Sequence, residues 1–122
     1  MKTIAVSLAL ACALLTTAAG AQRVNQDRID KELTLAEHNF YVDAGSQQRY
    51  LIGNVTNNSM TKTCDPTLTV GYLDANGNPI RNKQAHMVNL QPGGIWNFKL
   101  QASDPNVTNY VILSLRGKWY KQ

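Results

Sequence analysis

Apolar side chains recur at every second position through most of this chain, which is the spacing of β-strands that bury one face. Predicted strands lie at residues 33–42, 49–55, 67–73, 86–90, 95–101 and 109–117, and a further short strand begins at Pro79. No segment keeps a helical spacing of apolar residues over the length that a helix needs. The pattern predicts an all-β, antiparallel fold whose strands recur at the interval typical of sandwiches.

The same alternation predicts which side chains form the core. In the third strand Leu68, Val70 and Tyr72 share one face, and this parity carried backward points Cys64 inward. The core positions predicted on other strands are Leu51, Gly53, Val55, Trp96, Phe98, Leu100, Val111, Leu113 and Leu115. An interruption near residues 37–39 divides the first strand.

Residues 71–80, GYLDANGNPI, predict a hairpin. A two-residue turn at Asn76 and Gly77 alone would place Ile80 opposite the wrong face of the preceding strand. A type I turn over residues 74–77, with a left-handed Gly77 in a bulge, pairs Tyr72 with Ile80 and keeps the apolar face continuous. The proline that follows indicates a short returning strand at a sheet edge. Turn geometry therefore explains the stretch without a ligand.

Residues 1–21 have the pattern of a cleaved secretory leader, in which an early cation precedes an apolar run and small residues end the segment. The apolar run, residues 4–15, is shorter than the about 20 residues that a membrane-spanning helix needs. The alternative is a lipoprotein acylated at Cys12, although Ala9 stands where such sites favour a larger aliphatic residue. We expect an exported protein, periplasmic or secreted, with no transmembrane segment in the mature chain.

Loss of this leader would leave 122 minus 21, or 101, residues, which suffices for one domain. We predict a polar N-terminal arm at residues 22–32, loose or with one helical turn, and a sandwich domain at residues 33–122. The leader carries one of the 12 basic residues and none of the 8 acidic ones, so the mature formal charge is 11 minus 8, or +3. Because the cations are scattered, we expect no nucleic-acid partner.

Few residues suggest catalysis. Cys64 is the one cysteine after the leader, and the expected role of such a residue is a small buried hydrophobe, with an intermolecular bridge or a redox thiol as alternatives. His38 and His86 have no metal-ligand spacing, and no carboxylate pair suggests glycoside hydrolysis or calcium binding. We therefore predict no enzymatic activity and no cofactor or metal. A nucleophilic pair of Cys64 and His86 is the alternative.

The C-terminal run RGKWYK mixes cations with aromatic rings, a composition that can hold anionic glycans or lipid headgroups. The candidate partner-binding residues are Arg116, Lys118, Trp119, Tyr120 and Lys121. The structural alternative is that one of the two rings closes an end of the core while the lysines stay in water. A second candidate is the edge strand after the hairpin, although Pro79 and Arg81 are typical of edge protection.

Three motifs in order carry a family resemblance: LIGNVTNNS at residues 51–59, VGYLDANGNPI at 70–80 and NLQPGGIWNF at 89–98. They resemble the bacterial FxLYD domain, in which a G-x-V-x-N strand end, a YD-x-x-G hairpin and an L-x-PG turn recur. The resemblance covers roughly residues 33–115 and departs at the naming motif, which reads VGYLD here. It implies an immunoglobulin-like sandwich of about seven strands on an exported bacterial protein. It implies no activity and no site residues.

Together these features predict a non-catalytic, exported binding or accessory module of the bacterial cell envelope, whose partner is a protein or another envelope component. One alternative is a secreted or periplasmic inhibitor or effector that docks one partner through its loops. An alternative of another class is an envelope enzyme that uses Cys64.

Overall fold

The computed structural model describes residues 24–121, so the leader predicted at residues 1–21 lies outside the described part of the chain. Six strands run in the order β1 (Leu33–Val42), β2 (Arg49–Asn57), β3 (Lys62–Leu73), β4 (Pro79–His86), β5 (Ile95–Ala102) and β6 (Asn109–Lys121). One 3₁₀ turn, Gln26–Arg28, precedes them. Within the described residues, no helix has the length and apolar character needed to cross a membrane.

Two antiparallel sheets of three strands form the domain, in the orders β1-β2-β5 and β4-β3-β6. Their inner faces enclose one apolar core. The predicted all-β antiparallel sandwich is confirmed, with six strands rather than about seven. The core positions predicted on three strands are confirmed by the burial of Leu51, Val55, Leu68, Val70, Tyr72, Phe98 and Leu100.

The separate strand predicted at residues 86–90 does not form. His86 is the last residue of β4, and Asn89 adopts a left-handed φ of 60° that interrupts an extended chain. Leu90 then makes an isolated bridge with Cys64, in which each main-chain N–H donates to the other residue's carbonyl at 3.0 and 2.8 Å. One bridge replaces a strand here, and the count falls from seven to six.

The predicted turn after β3 is confirmed. Gly77 has a φ of +83°, and its N–H donates to the Asp74 carbonyl at 3.0 Å. The Asp74 N–H donates to the Asn78 carbonyl at 2.9 Å, which closes the bulge on the other side. The turn therefore has the geometry that its residues favour.

The register beyond that turn differs from the prediction. Tyr72 pairs with Arg81 and not with Ile80, because Ile80 is an extra residue that makes a second bulge. The sequence carries no turn signal at this point. Strand β4 lies at a sheet edge as predicted, but it is eight residues long rather than short.

A further bulge, at Leu113, changes the inner face of β6. Tyr110 and Ile112 are buried before it, and Leu115 is buried after it. The core positions predicted at Val111 and Leu113 are wrong, because both side chains lie half-buried on the outer face. An extra residue reverses the parity of everything that follows it.

The N-terminal arm contains the single helical turn that the sequence predicts. It is docked rather than loose: two parallel bridges join Val24 to Ile112 and Ile29 to Leu115 at the edge of β6. The Asp30 N–H donates to the Leu115 carbonyl at 2.9 Å. The arm thereby covers part of an edge that would otherwise expose unpaired main-chain groups.

The sandwich has two distinct ends. The connections at residues 58–61 and 87–94 and the last residues of β6 lie at one end, which we call the loop end. The connections at residues 43–48, 74–78 and 103–108 lie at the opposite end, which we call the hairpin end.

Candidate functional site

Strand β6 carries the five predicted binding residues, and its alternation separates them. Arg116, Lys118 and Tyr120 lie on the outer face of the sheet, whereas Trp119 points inward and packs against the core. Lys121 is exposed at the last position of the strand. The five residues therefore do not form one basic-aromatic cluster.

Two carboxylates contact three of these five side chains. Asp30 of the arm accepts a hydrogen bond from the Trp119 indole N–H at 3.3 Å and lies 3.8 Å from the Arg116 guanidinium. Asp65 of β3 accepts a hydrogen bond from the Tyr120 hydroxyl at 3.1 Å. These contacts offset part of the positive charge, and the packing of Trp119 fits the structural alternative for that ring.

Cys64 lies fully buried on the inner face of β3. Burial, with smaller contributions from the nearby Asp30 and Asp65 carboxylates, raises the pKa of its thiol to about 11. A nucleophilic cysteine requires the thiolate, which this environment disfavours at neutral pH. His86 pairs with Thr67 on the outer face of the same sheet, so it and the thiol point in opposite directions. The pair is not assembled.

His38 has a structural setting. Its Nδ1 lies 2.7 Å from the Tyr110 hydroxyl, and partial burial lowers the pKa of its imidazole. This contact ties β1 to β6 across the two sheets. No group of three or more His, Cys, Asp or Glu side chains suited to a metal ion occurs in the described chain.

Exposed apolar side chains gather at the loop end. Of the five large hydrophobic residues that are exposed between residues 24 and 121, four lie there and only Val42 lies at the hairpin end. Met60 is 91% exposed and Val88 is 63% exposed. Ile95 begins β5 beside these loops, and Tyr120 lies near the end of β6. Ile95 and Tyr120 face outward from different sheets, so Met60 and Val88 are the two that lie on the connections themselves. Exposed apolar side chains on ordered connections are typical of interaction sites.

Asn57 joins the two connections that carry Met60 and Val88. Its side-chain Nδ2 donates to the main-chain carbonyls of Lys62 and Leu90, each at 2.9 Å, and its Oδ1 accepts from the Ser59 N–H at 2.9 Å. Its carbonyl accepts from the Gly93 N–H at 2.8 Å. The connections before β3 and before β5 are thus joined through one buried side chain.

The sequence predicts residues 57–59 only as the end of a strand. A signal was present, because Asn57 continues the inward parity of Leu51 and Val55 and so places a polar group on the core side. A buried polar side chain must be hydrogen-bonded, which predicts that it organises nearby main chain. The exposure of Met60 and Val88 had no comparable signal.

No family model matches the chain, and no curated protein matches it. Among solved structures, the crystal structure of Campylobacter jejuni cj0090 is similar, with a TM-score of 0.48 and 15% sequence identity. The similarity covers 79% of this chain and 98% of that chain. The resemblance to the FxLYD domain stays a prediction.

Proposed function

We propose that this chain is a non-catalytic, exported binding module of the bacterial cell envelope that contacts a protein partner through its loop end. The observation that carries the proposal is the exposure of Met60 and Val88 on two connections of this end that the Asn57 side chain joins. Scattered single apolar residues need no explanation, but a group at one end of a domain does.

The backbone of this end is ordered by hydrogen bonds, which supports the proposal. The Asn57 hydrogen bonds hold the connection before β3 against the one before β5. A loop that is already ordered loses less conformational entropy on association, so more of the contact energy appears as affinity. Met60 adds a flexible thioether that adapts to an apolar partner surface.

The envelope role rests on the predicted leader and on the resemblance to an exported family. The alternative of an inhibitor or effector uses the same surface and differs in its partner, which would be a single enzyme bound at one-to-one stoichiometry. The alternative of an enzyme using Cys64 is disfavoured by the burial of the thiol.

The proposal is tested by crosslinking and pull-down from intact cell envelope with the double variant Met60→Ser/Val88→Ser. Both side chains are exposed, so the variant folds like the wild type within about 0.5 kcal/mol. We expect recovery of the specific partner to fall by at least about tenfold, as for loss of apolar anchors from an interface.

Val42→Ser is the matched control, because it removes an exposed apolar side chain from the hairpin end. Equal recovery by the double variant and this control would reject the loop end as the binding surface. Recovery of one enzyme, inhibited by the wild type and not by the double variant, would identify the inhibitor function.

Labelling with a maleimide tests the enzymatic alternative. We expect Cys64 to react about 100-fold more slowly in the folded protein than in urea, since the reaction requires local opening. Rapid labelling of the folded protein at neutral pH would instead support an accessible thiolate.

A further inference from the structure

A cleft opens between the edge strands β4 and β5 near the hairpin end. It has a volume of about 350 Å³, and its lining includes Tyr72, Arg81, Lys83, Ser103 and Asp104. A second cavity of about 460 Å³ shares Asp104 with the first and extends toward the hairpin turn. Volumes of this size accommodate a small molecule.

The bulge at Ile80 aims two cations into this cleft. Because Ile80 is an extra residue, Arg81 lies opposite Tyr72, and Lys83 lies opposite Val70. Tyr72 and Val70 are buried inner-face residues, so both cations project from the inner side of the sheet. In the register without this bulge both cations would point to the outer face. Bulges recur beside binding sites, where they redirect side chains in this way.

Protection of the sheet edge explains why one of these cations, Lys83, points inward. The Lys83 ammonium donates to the Gln101 carbonyl on β5 at 3.0 Å, and an inward-pointing charge on an edge strand prevents pairing with another strand. Arg81 has no such contact: within residues 24–121 its guanidinium makes no ion pair, and no hydrogen bond involves it. Its five N–H donors are available to a ligand.

Other groups in the cleft add hydrogen-bonding capacity. The Tyr72 hydroxyl donates to the Gln101 carbonyl over a long 3.4 Å, a bond that a stronger acceptor would replace. Burial raises the pKa of Tyr72 to about 12, so the phenol stays protonated and neutral. Asp104 receives the Asn106 N–H on one carboxylate oxygen, and carboxylates accept several hydrogen bonds.

We propose that this cleft binds a small acidic sugar, whose carboxylate or phosphate group pairs with Arg81 and whose hydroxyl groups contact Asp104 and Ser103. A guanidinium binds either anion through two parallel hydrogen bonds. A carboxylate on the opposite side of the cleft selects a ligand that also carries hydroxyl donors over a simple anion. The site lies at the opposite end from the proposed protein-binding surface, so the two proposals stand or fall separately.

An NMR titration of the ¹⁵N-labelled protein tests the site with glucose 6-phosphate, glucuronate, inorganic phosphate and glucose. We expect both acidic sugars to shift the amide signals of residues 81–83 and 101–104, with dissociation constants of about 1 mM. Inorganic phosphate binds more weakly, and glucose causes no shift. A response to only one acidic sugar would support the site and identify its anion as phosphate or carboxylate.

Arg81→Gln removes the charge and the guanidinium and leaves a shorter, neutral polar side chain. We expect it to weaken binding of the acidic sugar by at least about tenfold, as loss of a charged bidentate contact does. Lys121→Gln is the control, because it removes the same charge from the loop end. The proposal is overturned by equal binding to Arg81→Gln, by an equal response to glucose, or by no response to any probe. Partner capture through the loop end stays unchanged in Arg81→Gln.

Discussion

The two ends of the sandwich are stabilised by different kinds of hydrogen bond. At the hairpin end Asp43, Asp74 and Asp104 each begin a turn, and each carboxylate accepts a main-chain N–H within four residues of itself. At the loop end Asn57 donates to a carbonyl 33 residues away and joins two connections. The three turns of the hairpin end are each closed locally, although the Arg49 guanidinium also donates to the Pro105 carbonyl there at 2.7 Å. The Asn57 contact that joins the connections of the loop end requires the complete fold.

This difference separates what each end can do. A local Asp turn stabilises its own hairpin whatever lies nearby, so these turns tolerate open, polar surroundings. A buried side chain that joins two loops lets those loops carry exposed apolar residues, because their backbone does not depend on burying them. The loop end is accordingly the end with Met60 and Val88 in solvent.

Removal of the Asn57 side chain is expected to have the largest effect. Asn57→Ala leaves the buried Ser59 N–H without its acceptor, which costs about 1–3 kcal/mol. It also removes the side-chain donor to the Lys62 and Leu90 carbonyls, of which Leu90 still accepts from the Cys64 N–H. We expect the free energy of unfolding to fall by about 3 kcal/mol in urea titrations. Asn58→Ala is the control at the exposed neighbouring position, where the variant loses one exposed hydrogen bond to the Thr34 hydroxyl, and we expect the free energy of unfolding to change by less than about 1 kcal/mol.

Asn57→Asp distinguishes the effect of losing the donated hydrogen bonds from the effect of losing side-chain volume. The aspartate keeps the size of the side chain and the acceptor for the Ser59 N–H, but it turns an oxygen toward the Lys62 and Leu90 carbonyls. We expect the free energy of unfolding to fall by about as much as in Asn57→Ala. A stable Asn57→Asp protein would mean that these donated bonds do not hold the loop end together.

Close packing at Gly117 gives the next largest effect. A Cβ atom there would overlap the Cys64 sulfur and lie 3.1 Å from the Trp119 ring. We expect Gly117→Ala to lower the free energy of unfolding by about 2–3 kcal/mol through overpacking. Gly45→Ala is the control at the hairpin end, where the nearest atom is an Asp43 oxygen at 3.8 Å.

A second substitution identifies the cause. In the double variant Gly117→Ala/Cys64→Ala the sulfur is absent, so the new methyl group has space. We expect the double variant to be more stable than the sum of the single losses predicts, by at least about 1 kcal/mol, since contacting residues couple. If the losses in the free energy of unfolding are additive, the overpacking arises at Trp119 instead.

Asp74→Ala tests the hairpin end and is expected to cost less. It removes the carboxylate that accepts the Asn76 and Asn78 N–H groups, both at 2.9 Å, while the main-chain bond from Gly77 remains. Because these groups are exposed, water replaces the lost acceptor, and we expect a loss of about 1 kcal/mol in urea. A loss as large as that of Asn57→Ala would remove the distinction between the two ends.

The same distinction explains how much of the fold the sequence could predict. The Asp74 turn follows from residues next to one another, and the core of β3 follows from a strict alternation. The bulge at Ile80 lies in the β3–β4 hairpin and the bulge at Leu113 lies where β6 pairs with the distant β3, and neither has a local signal of this kind. The bulge at Ile80 reversed the predicted facing of the residues beyond it. The bulge at Leu113 leaves Val111 and Leu113 outward, whereas Leu115 beyond it points inward as predicted.

The candidate sites were less predictable for the same reason. Residues 116–121 were predicted as a binding site from composition alone. The alternation of β6 places them on both faces of the sheet and packs Trp119 against the core. The four exposed apolar residues of the loop end come from three separate parts of the chain and reach the same end only after folding. Arg81 lines the cleft because of a bulge that the sequence does not predict.

We expect the two ends to respond to opposite changes in pH. Burial raises the pKa of Cys64 from 9.0 to about 11, so the stability that its protonated thiol contributes is present below pH 9.0 and lost as the pH rises toward 11. Hydrogen bonds from Ser46 lower the pKa of Asp43 below 3.8, so its contribution is present above pH 3.8 and lost on acidification. In urea titrations we therefore expect the stability difference between wild type and Cys64→Ala to change only above pH 9.0. The stability difference between wild type and Asp43→Asn is expected to change only at acid pH. A Cys64→Ala difference that already changes near pH 7 would mean that the thiol ionises there, which contradicts its burial beside the loop end.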